Sequence, residues 1–328
     1  MKKAVSHRCV DPGQRIREKH KMRCISAFFL AVGMALLLFV CAGVWQGKNY
    51  LLAGILMLLF LFGVVVLNFE KRKPRAREIA LLSTMTGLSV AANELCSHTI
   101  PLHAGTAMVV ISGIALGPET GFFVGALARF VCNFFSGQGP WSPWQMFSWG
   151  LMGYLAGLCF NTIRVRGRLE EETLAGRFSL KKSTSFRLLA GPLAAIAGGE
   201  ILGYLLYVWT GVHGETFWGW RVYVFGFLGL AFGIVLQRKK LPVDPVTTSV
   251  FIFLITVLVY GGIMNFAAML MTAQSGGEVS VEALKALYVT GLPYDLMHGA
   301  GAALCMFFAG DVILQKLQRI QIKFGIGF

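Results

Sequence analysis

The chain has 328 residues, of which 55% are hydrophobic and only 14% are charged, and it carries a formal net charge of +14. A soluble domain of this size has no way to bury so much apolar surface, so the composition excludes an ordinary soluble protein. The basic charge by itself fits either a nucleic-acid-binding protein or a membrane protein, and its distribution along the chain decides between them.

Apolar runs of about 20 residues recur along the chain, and each is long enough to cross the hydrocarbon layer as a helix. They predict an all-α, polytopic bundle of about ten transmembrane helices. The predicted helices are 25–45, 50–68, 77–96, 102–117, 119–136, 143–161, 187–209, 218–236, 247–272 and 285–314. Residues 1–24 are predicted to form a basic cytoplasmic tail, and the run that follows is too long for a signal peptide.

Lysine and arginine residues concentrate in every second predicted connection. Their counts are 8 in residues 1–24, 5 in 69–78, 7 in 162–187, 3 in 237–246 and 3 in 315–328, together 26 of the chain's 30. Because cytoplasmic loops are enriched in these residues, both termini are expected in the cytoplasm. The charge therefore sets the membrane topology, and we predict no nucleic-acid partner.

The opposite connections contain aromatic, amide and histidine side chains. The segment Gly137–Met146 combines two glycines and two prolines with Gln138, Trp141, Trp144 and Gln145. Tryptophan at the headgroup level commonly does no more than anchor a helix. Irregular polar backbone at a membrane boundary is expected to line a cavity or water, which favours a site for a flat, uncharged or weakly charged organic ligand.

Polar side chains within the spans are the second indication of a site, because each costs a few kcal/mol near the bilayer centre unless it has a partner. Arg129 and Glu200 fall near mid-span. A structural ion pair of Arg129 with Glu200 or Glu94, an outward-opening ligand cavity and a proton relay are all open interpretations. The predicted ligand contacts are Asn93, His98, Asn133, Gln138, Trp141, Trp144, Gln145, Asn265, Tyr294, Asp295 and His298.

Small residues form stripes on several predicted helices. Examples are Ser83, Gly87 and Ala91 on one helix, and Gly117, Gly121 and Gly125 on another. Such stripes let backbones approach closely, and most pack neighbouring helices of the same bundle. The stripe on 77–96 could instead face another subunit.

The sequence contains no phosphate-binding loop, no catalytic motif and no cysteine or histidine spacing typical of a metal site. We therefore predict no catalytic residues, no cofactor and no metal site. A chain of this kind would transport rather than catalyse, and any ATP hydrolysis would need separate subunits.

Two blocks carry a resemblance to a known family. The first is Gly113–Ala126 with Asn133 and the segment Gly137–Met146; the second comprises Tyr260–Asn265, Gly291–His298 and Leu317–Gly325. The sequence resembles, over about half of its length, the substrate-binding S components of energy-coupling factor (ECF) transporters.

The resemblance implies a bacterial cell-membrane subunit that captures a vitamin or vitamin precursor outside the cell, with a cobalamin-related compound favoured. It implies a transmembrane coupling protein and two cytoplasmic ATPases as partners, with Ser83, Gly87 and Ala91 docking on the coupling protein. The family's lid corresponds here to the loop Cys96–His103.

S components have six spans, which implies a six-helix core at about 76–162 and 247–316. The remaining spans would be two extra N-terminal helices within 25–68 and an extra pair at about 187–236 inside the S-component-like domain 76–328. That pair either packs peripherally or contributes Glu200, His213 and Trp218 to an enlarged site. From a different class, the alternative is a proton-coupled secondary transporter that uses Arg129, Glu200 and Asp295.

Overall fold

The computed structural model describes residues 49–71, 74–99, 103–160, 183–210, 225, 241–277 and 279–325. Within these residues the protein is helical and contains no strand, apart from one isolated bridge between Phe160 and Leu241. The helices are α1 (Tyr50–Lys71), α2 (Ala76–Thr99), α3 (Ala104–Leu116), α4 (Pro118–Ser136), α5 (Ser142–Cys159), α6 (Ser183–Thr210), α7 (Pro245–Ile255), α8 (Gly261–Gln274), α9 (Val281–Cys305) and α10 (Asp311–Phe324).

Four stretches of the described helices are long and apolar enough to cross a membrane. They are Tyr50–Leu67, Ala76–Cys96, Pro245–Gln274 and Glu282–Phe324. This confirms the all-α, multi-pass fold class. The count of about ten spans stays a prediction, and the predicted helix 25–45 lies outside the described residues, as does 218–236 except for Phe225.

Local sequence signals account for several helix ends. The Asp244 side chain caps α7 by accepting a hydrogen bond from the Thr247 backbone N–H at 2.9 Å. The Ser280 hydroxyl caps α9 by accepting a hydrogen bond from the Ala283 backbone N–H at 3.1 Å. Gly117 separates α3 from α4 with φ of 92°, a conformation that favours glycine, and Pro118 then opens α4. The predicted break between 102–117 and 119–136 therefore has a clear physical origin.

Two long helical rods depart from the predicted bounds. A π-helical turn, Thr256–Tyr260, joins α7 to α8, and another, Met306–Gly310, joins α9 to α10. The second rod was expected to end near residue 314, yet it continues to Phe324. Buried Leu314 and Leu317 hold the extension against the bundle, so the basic tail is helical.

Two arginines at the start of α2 hold the end of α10. The Nη1 atom of Arg77 donates to the Phe324 carbonyl at 3.1 Å, and that of Arg75 donates to the Gly325 carbonyl at 3.3 Å. Positive charge at the C-terminal end of a helix is favourable because the last carbonyls are otherwise unpaired. These hydrogen bonds join the start of α2 to the end of α10.

Glycines bring α3, α4 and α5 into backbone contact. A methyl group on Gly121 would lie 2.5 Å from the Gly153 carbonyl oxygen, and Gly113 and Gly125 are packed equally closely against the α5 backbone. The predicted stripe on α4 thus packs inside the bundle at Gly121 and Gly125. These three closely packed helices form one side of a polar cluster, to which α3 contributes Thr106 and α4 contributes Arg129.

Candidate functional site

Two histidines and their neighbours form the centre of a polar cluster where α9 meets the start of α3. The imidazole of His298 is 2% exposed, and its Nε2 atom lies 3.0 Å from the Thr106 hydroxyl. The ring of His103 lies 3.9 Å from that of His298, and Tyr260 packs edge-on against His298 at 4.8 Å. His298 Nδ1 is buried and has no hydrogen-bond partner within the described ranges. One predicted contact, His298, is thus held by three residues that the prediction left out.

An amide–carboxyl pair lies beside the histidines. Asn265 on α8 donates through Nδ2 to Asp295 Oδ2 on α9 at 3.1 Å, and Asp295 is only 6% exposed. Two glycines make room for the pair, because a methyl group on Gly261 would lie 2.5 Å from Asp295 Oδ2 and one on Gly291 would lie 2.7 Å from Asn265 Oδ1. Gly261 and Gly291 therefore leave the space that the side chains of Asp295 and Asn265 occupy.

Arg129 on α4 supplies a positive charge to the same region. Its Nε atom donates to Gln145 Oε1 at 3.1 Å, and its guanidinium carbon lies 5.5 Å from the centre of the Trp149 ring. Its positive charge is close enough to His103 to interact with it electrostatically. Arg129 thus connects the Gln145 side of the site to the histidines. Its predicted pairing with Glu200 or Glu94 stays a prediction.

Two buried asparagines differ in their hydrogen bonding. Asn93 on α2 donates to Glu94 Oε1 at 3.2 Å. Asn133, one helical turn beyond Arg129, is fully enclosed, and among the described residues neither its amide nitrogen nor its amide oxygen has a hydrogen-bond partner. A buried amide left in this way costs on the order of 1–3 kcal/mol for each missing bond. A bound water, an ion or a ligand group would satisfy such an amide.

The segment Gly137–Met146 divides between the surface and the interior. Gln138 is exposed and donates to the Phe130 carbonyl at 3.2 Å, and Trp141 remains 37% exposed. Trp144 is fully buried and stacks on Tyr50 of α1, with 5.5 Å between ring centres and 9° between ring planes. Its indole is therefore enclosed by protein side chains, and its predicted contact with ligand stays a prediction.

The other predicted contacts are placed as follows. Tyr294 is half exposed, and its ring centre lies 6.2 Å from those of both His103 and His298. His98 lies in the last turn of α2, and its side chain is outside the described residues. The structure thus brings together Asn265, Tyr294, Asp295 and His298, and links Gln145 to them through Arg129. His213 and Trp218 lie outside the described residues.

The predicted docking residues lie on an open face of α2. Ser83, Gly87 and Ala91 are all exposed, and none of the described residues outside the local helix backbone lies within 4 Å of where a Gly87 side chain would begin. Leu88 and Leu95 are also exposed, at 49% and 69%. This face therefore combines small and apolar residues without an intramolecular neighbour at Gly87.

Comparison with known proteins connects this architecture to a family. Residues 74–190 match the family model described as ECF-type riboflavin transporter, S component. The resemblance to ECF S components is confirmed. The matched S-component region includes α2 to α5, which carry Asn93, His103, Arg129, Asn133 and the Gly137–Met146 segment.

Two curated relatives overlap parts of the chain. A UPF0397 protein of Lacticaseibacillus casei is 37% identical over 73 residues, which is 22% of this chain and 34% of the relative. A UPF0397 protein of Vibrio atlanticus is 28% identical over 120 residues, which is 37% of this chain and 56% of the relative. The matches thus span between a third and just over half of the relatives' lengths. No solved structure matches the chain.

Among the described residues, no group of three or more histidine, cysteine, aspartate or glutamate side chains is arranged to hold a metal ion. What the cluster offers is hydrogen bonding, aromatic faces and one positive charge. These groups suit binding of an organic molecule.

Proposed function

We propose that this chain is the substrate-specific membrane subunit of an ATP-driven ECF importer. The observation that carries the proposal is the polar cluster of His103, His298, Asp295, Asn265 and Arg129, which lies between helices of an S-component-like bundle. Polar groups held inside a membrane bundle are costly, and they are retained where they bind substrate. The family match over residues 74–190 supports the same reading.

The substrate is proposed to be a vitamin-like organic molecule taken from outside the cell. Tyr294 and the histidines would offer ring faces, while Asp295, Asn265 and Gln145 would bind its polar edge. The matched family model names riboflavin in its description, which makes riboflavin the first compound to test. The cobalamin-related compound favoured from the sequence is the second.

The partners are proposed to be a transmembrane coupling protein and two cytoplasmic ATPases. The exposed face of α2 with Ser83, Gly87 and Ala91 supports this, because small residues let a second backbone approach within van der Waals contact. We place both termini in the cytoplasm on the distribution of lysine and arginine.

The test is equilibrium binding of riboflavin and of hydroxocobalamin to the purified full-length protein. Asp295→Ala is expected to weaken binding at least about tenfold, because it leaves the Asn265 amide without its partner. Lys285→Ala is the matched control, since Lys285 is exposed on the same helix. Equal affinity of Asp295→Ala and the parent protein would remove Asp295 from the site.

Uptake by cells distinguishes the proposed importer from a proton-coupled secondary transporter. Uptake that stops when the ATPase genes are deleted is expected. Uptake that continues without them and collapses with an uncoupler would replace the importer by the secondary transporter.

A further inference from the structure

Helix α1 lies ahead of the family match, which begins at residue 74, yet its packing reaches the candidate site. Ala53, Met57 and Val65 are each buried to within 1% of full enclosure. They belong to an apolar core shared with α4, α5 and α8, in which Phe122, Phe147 and Leu270 are also buried. A helix that served only as a lipid anchor would have no such face.

The contact between α1 and Trp144 is closely fitted. Tyr50 stacks on the indole, and the Tyr50 carbonyl accepts a hydrogen bond from Trp144 Nε1 at 3.4 Å. Gly54 lies one turn further along, and a side chain there would overlap the indole nitrogen and lie 2.7 Å from Trp144 Cδ1. Phe266 of α8 packs on the indole at 6.3 Å between ring centres. Tyr50, Gly54 and Phe266 together form a slot that fits this one side chain.

Trp144 occupies the first turn of α5, directly before Gln145. The Gln145 backbone N–H donates to the Trp141 carbonyl at 3.0 Å, and the Gln145 side chain accepts from Arg129. The position of the indole therefore fixes the turn that presents Trp141 and Gln145. A displacement of Trp144 would move both residues together, since they share one short turn.

We infer that α1 is a positioning element for the segment Gly137–Met146, acting through Tyr50, Gly54 and the buried indole of Trp144. Tyr50 and Gly54 are positioning residues in this account, because neither contacts the polar cluster directly in any described interaction. The effect of α1 on substrate affinity rests on the proposed function, whereas its effect on the segment Gly137–Met146 does not depend on a ligand.

The test compares Gly54→Leu with Gly63→Leu in the full-length protein in detergent. Both substitutions place the same side chain on α1, but in the part of the chain that the structure describes nothing outside the local helix backbone lies within 4 Å of the Gly63 position. Amide hydrogen exchange is measured on peptides that cover 137–146 and, as a remote reference, 104–116. Gly54→Leu is expected to speed exchange in 137–146 at least about fivefold, since overpacking destabilises a closed contact, and to leave 104–116 unchanged.

A second pair of variants keeps the test valid if Gly54→Leu does not fold. Tyr50→Leu removes the stacked ring, whereas Tyr50→Phe keeps the ring and the backbone carbonyl. Faster exchange in 137–146 for Tyr50→Leu and parental exchange for Tyr50→Phe is expected. Parental exchange in both Gly54→Leu and Tyr50→Leu, or an equal rise in 104–116, overturns the positioning role.

Riboflavin affinity of the same variants gives the second readout. Gly54→Leu is expected to weaken riboflavin at least about fivefold and Gly63→Leu to leave it unchanged. If exchange rises in 137–146 but affinity does not change, α1 does not position the ligand-binding turn and the inference is wrong. If the parent protein binds neither riboflavin nor hydroxocobalamin, the proposed substrates fail, while the exchange data still decide the role of α1.

Discussion

Replacing Gly87 by leucine tests the docking face of α2 directly. Gly87 is exposed, and among the described residues no atom beyond the adjacent backbone of its own helix lies within 4 Å of where its side chain would begin. The substitution therefore costs nothing in packing within the free subunit. Leucine is the better helix former by about 0.7 kcal/mol, so the melting temperature should stay equal or rise slightly.

Docking is where the added side chain should matter. If the coupling protein approaches α2 through Ser83, Gly87 and Ala91, an isobutyl group at the centre of the stripe holds the two helices apart. Overpacking of this kind costs about 1–3 kcal/mol, which corresponds to roughly 5- to 150-fold weaker association.

The assay is affinity purification of the complex from cells with quantitative mass spectrometry of the coupling protein and ATPases. Gly63→Leu is the matched control, because its position on α1 is also open. Gly87→Leu should retain substrate binding while it loses its partners. Recovery of the partners at the parental level would refute the docking assignment, and loss of substrate binding would show that the substitution disturbs the fold.

Two further predictions follow from the described contacts. Gly153→Ala should lower the melting temperature by several degrees in a thermal-unfolding assay, because its methyl group would overlap the Gly121 carbonyl. Gly198→Ala, at an open position, is its control, and an unchanged melting temperature for Gly153→Ala would contradict the backbone contact. Asn265→Ala and Asp295→Ala should each weaken riboflavin binding, and the double variant should lose little more affinity than either single variant. Losses of binding free energy that add up in the double variant would mean that the pair does not act as a unit.

The sequence was sufficient for the helical class and for most helix positions between 77 and 161, because apolar runs and glycine–proline breaks are local signals. It also indicated part of the site, since Asp295 and His298 are three residues apart and Tyr294 and His298 are four apart. The structure places these residues near Asn265, and ligand contact by any of them stays a prediction.

Contacts between distant segments could not be predicted from the sequence. Trp144 and Tyr50 are 94 residues apart, and nothing near either residue distinguishes a buried stack from an interfacial or ligand-facing tryptophan. No local motif that the sequence analysis used marks the π-helical turns at Thr256–Tyr260 and Met306–Gly310. His103 and Thr106 join the site only because α3 begins beside His298, which is a tertiary arrangement.

The central claim is that this chain captures substrate for an ATP-driven importer. Its most direct test is purification of the tagged full-length protein from its native membrane in mild detergent, with mass spectrometry of the bound proteins and small molecules. We predict recovery of a coupling protein, two ATPases and a vitamin-like compound. Repeated recovery of the chain alone, without ATPases and without a bound compound, would contradict the account.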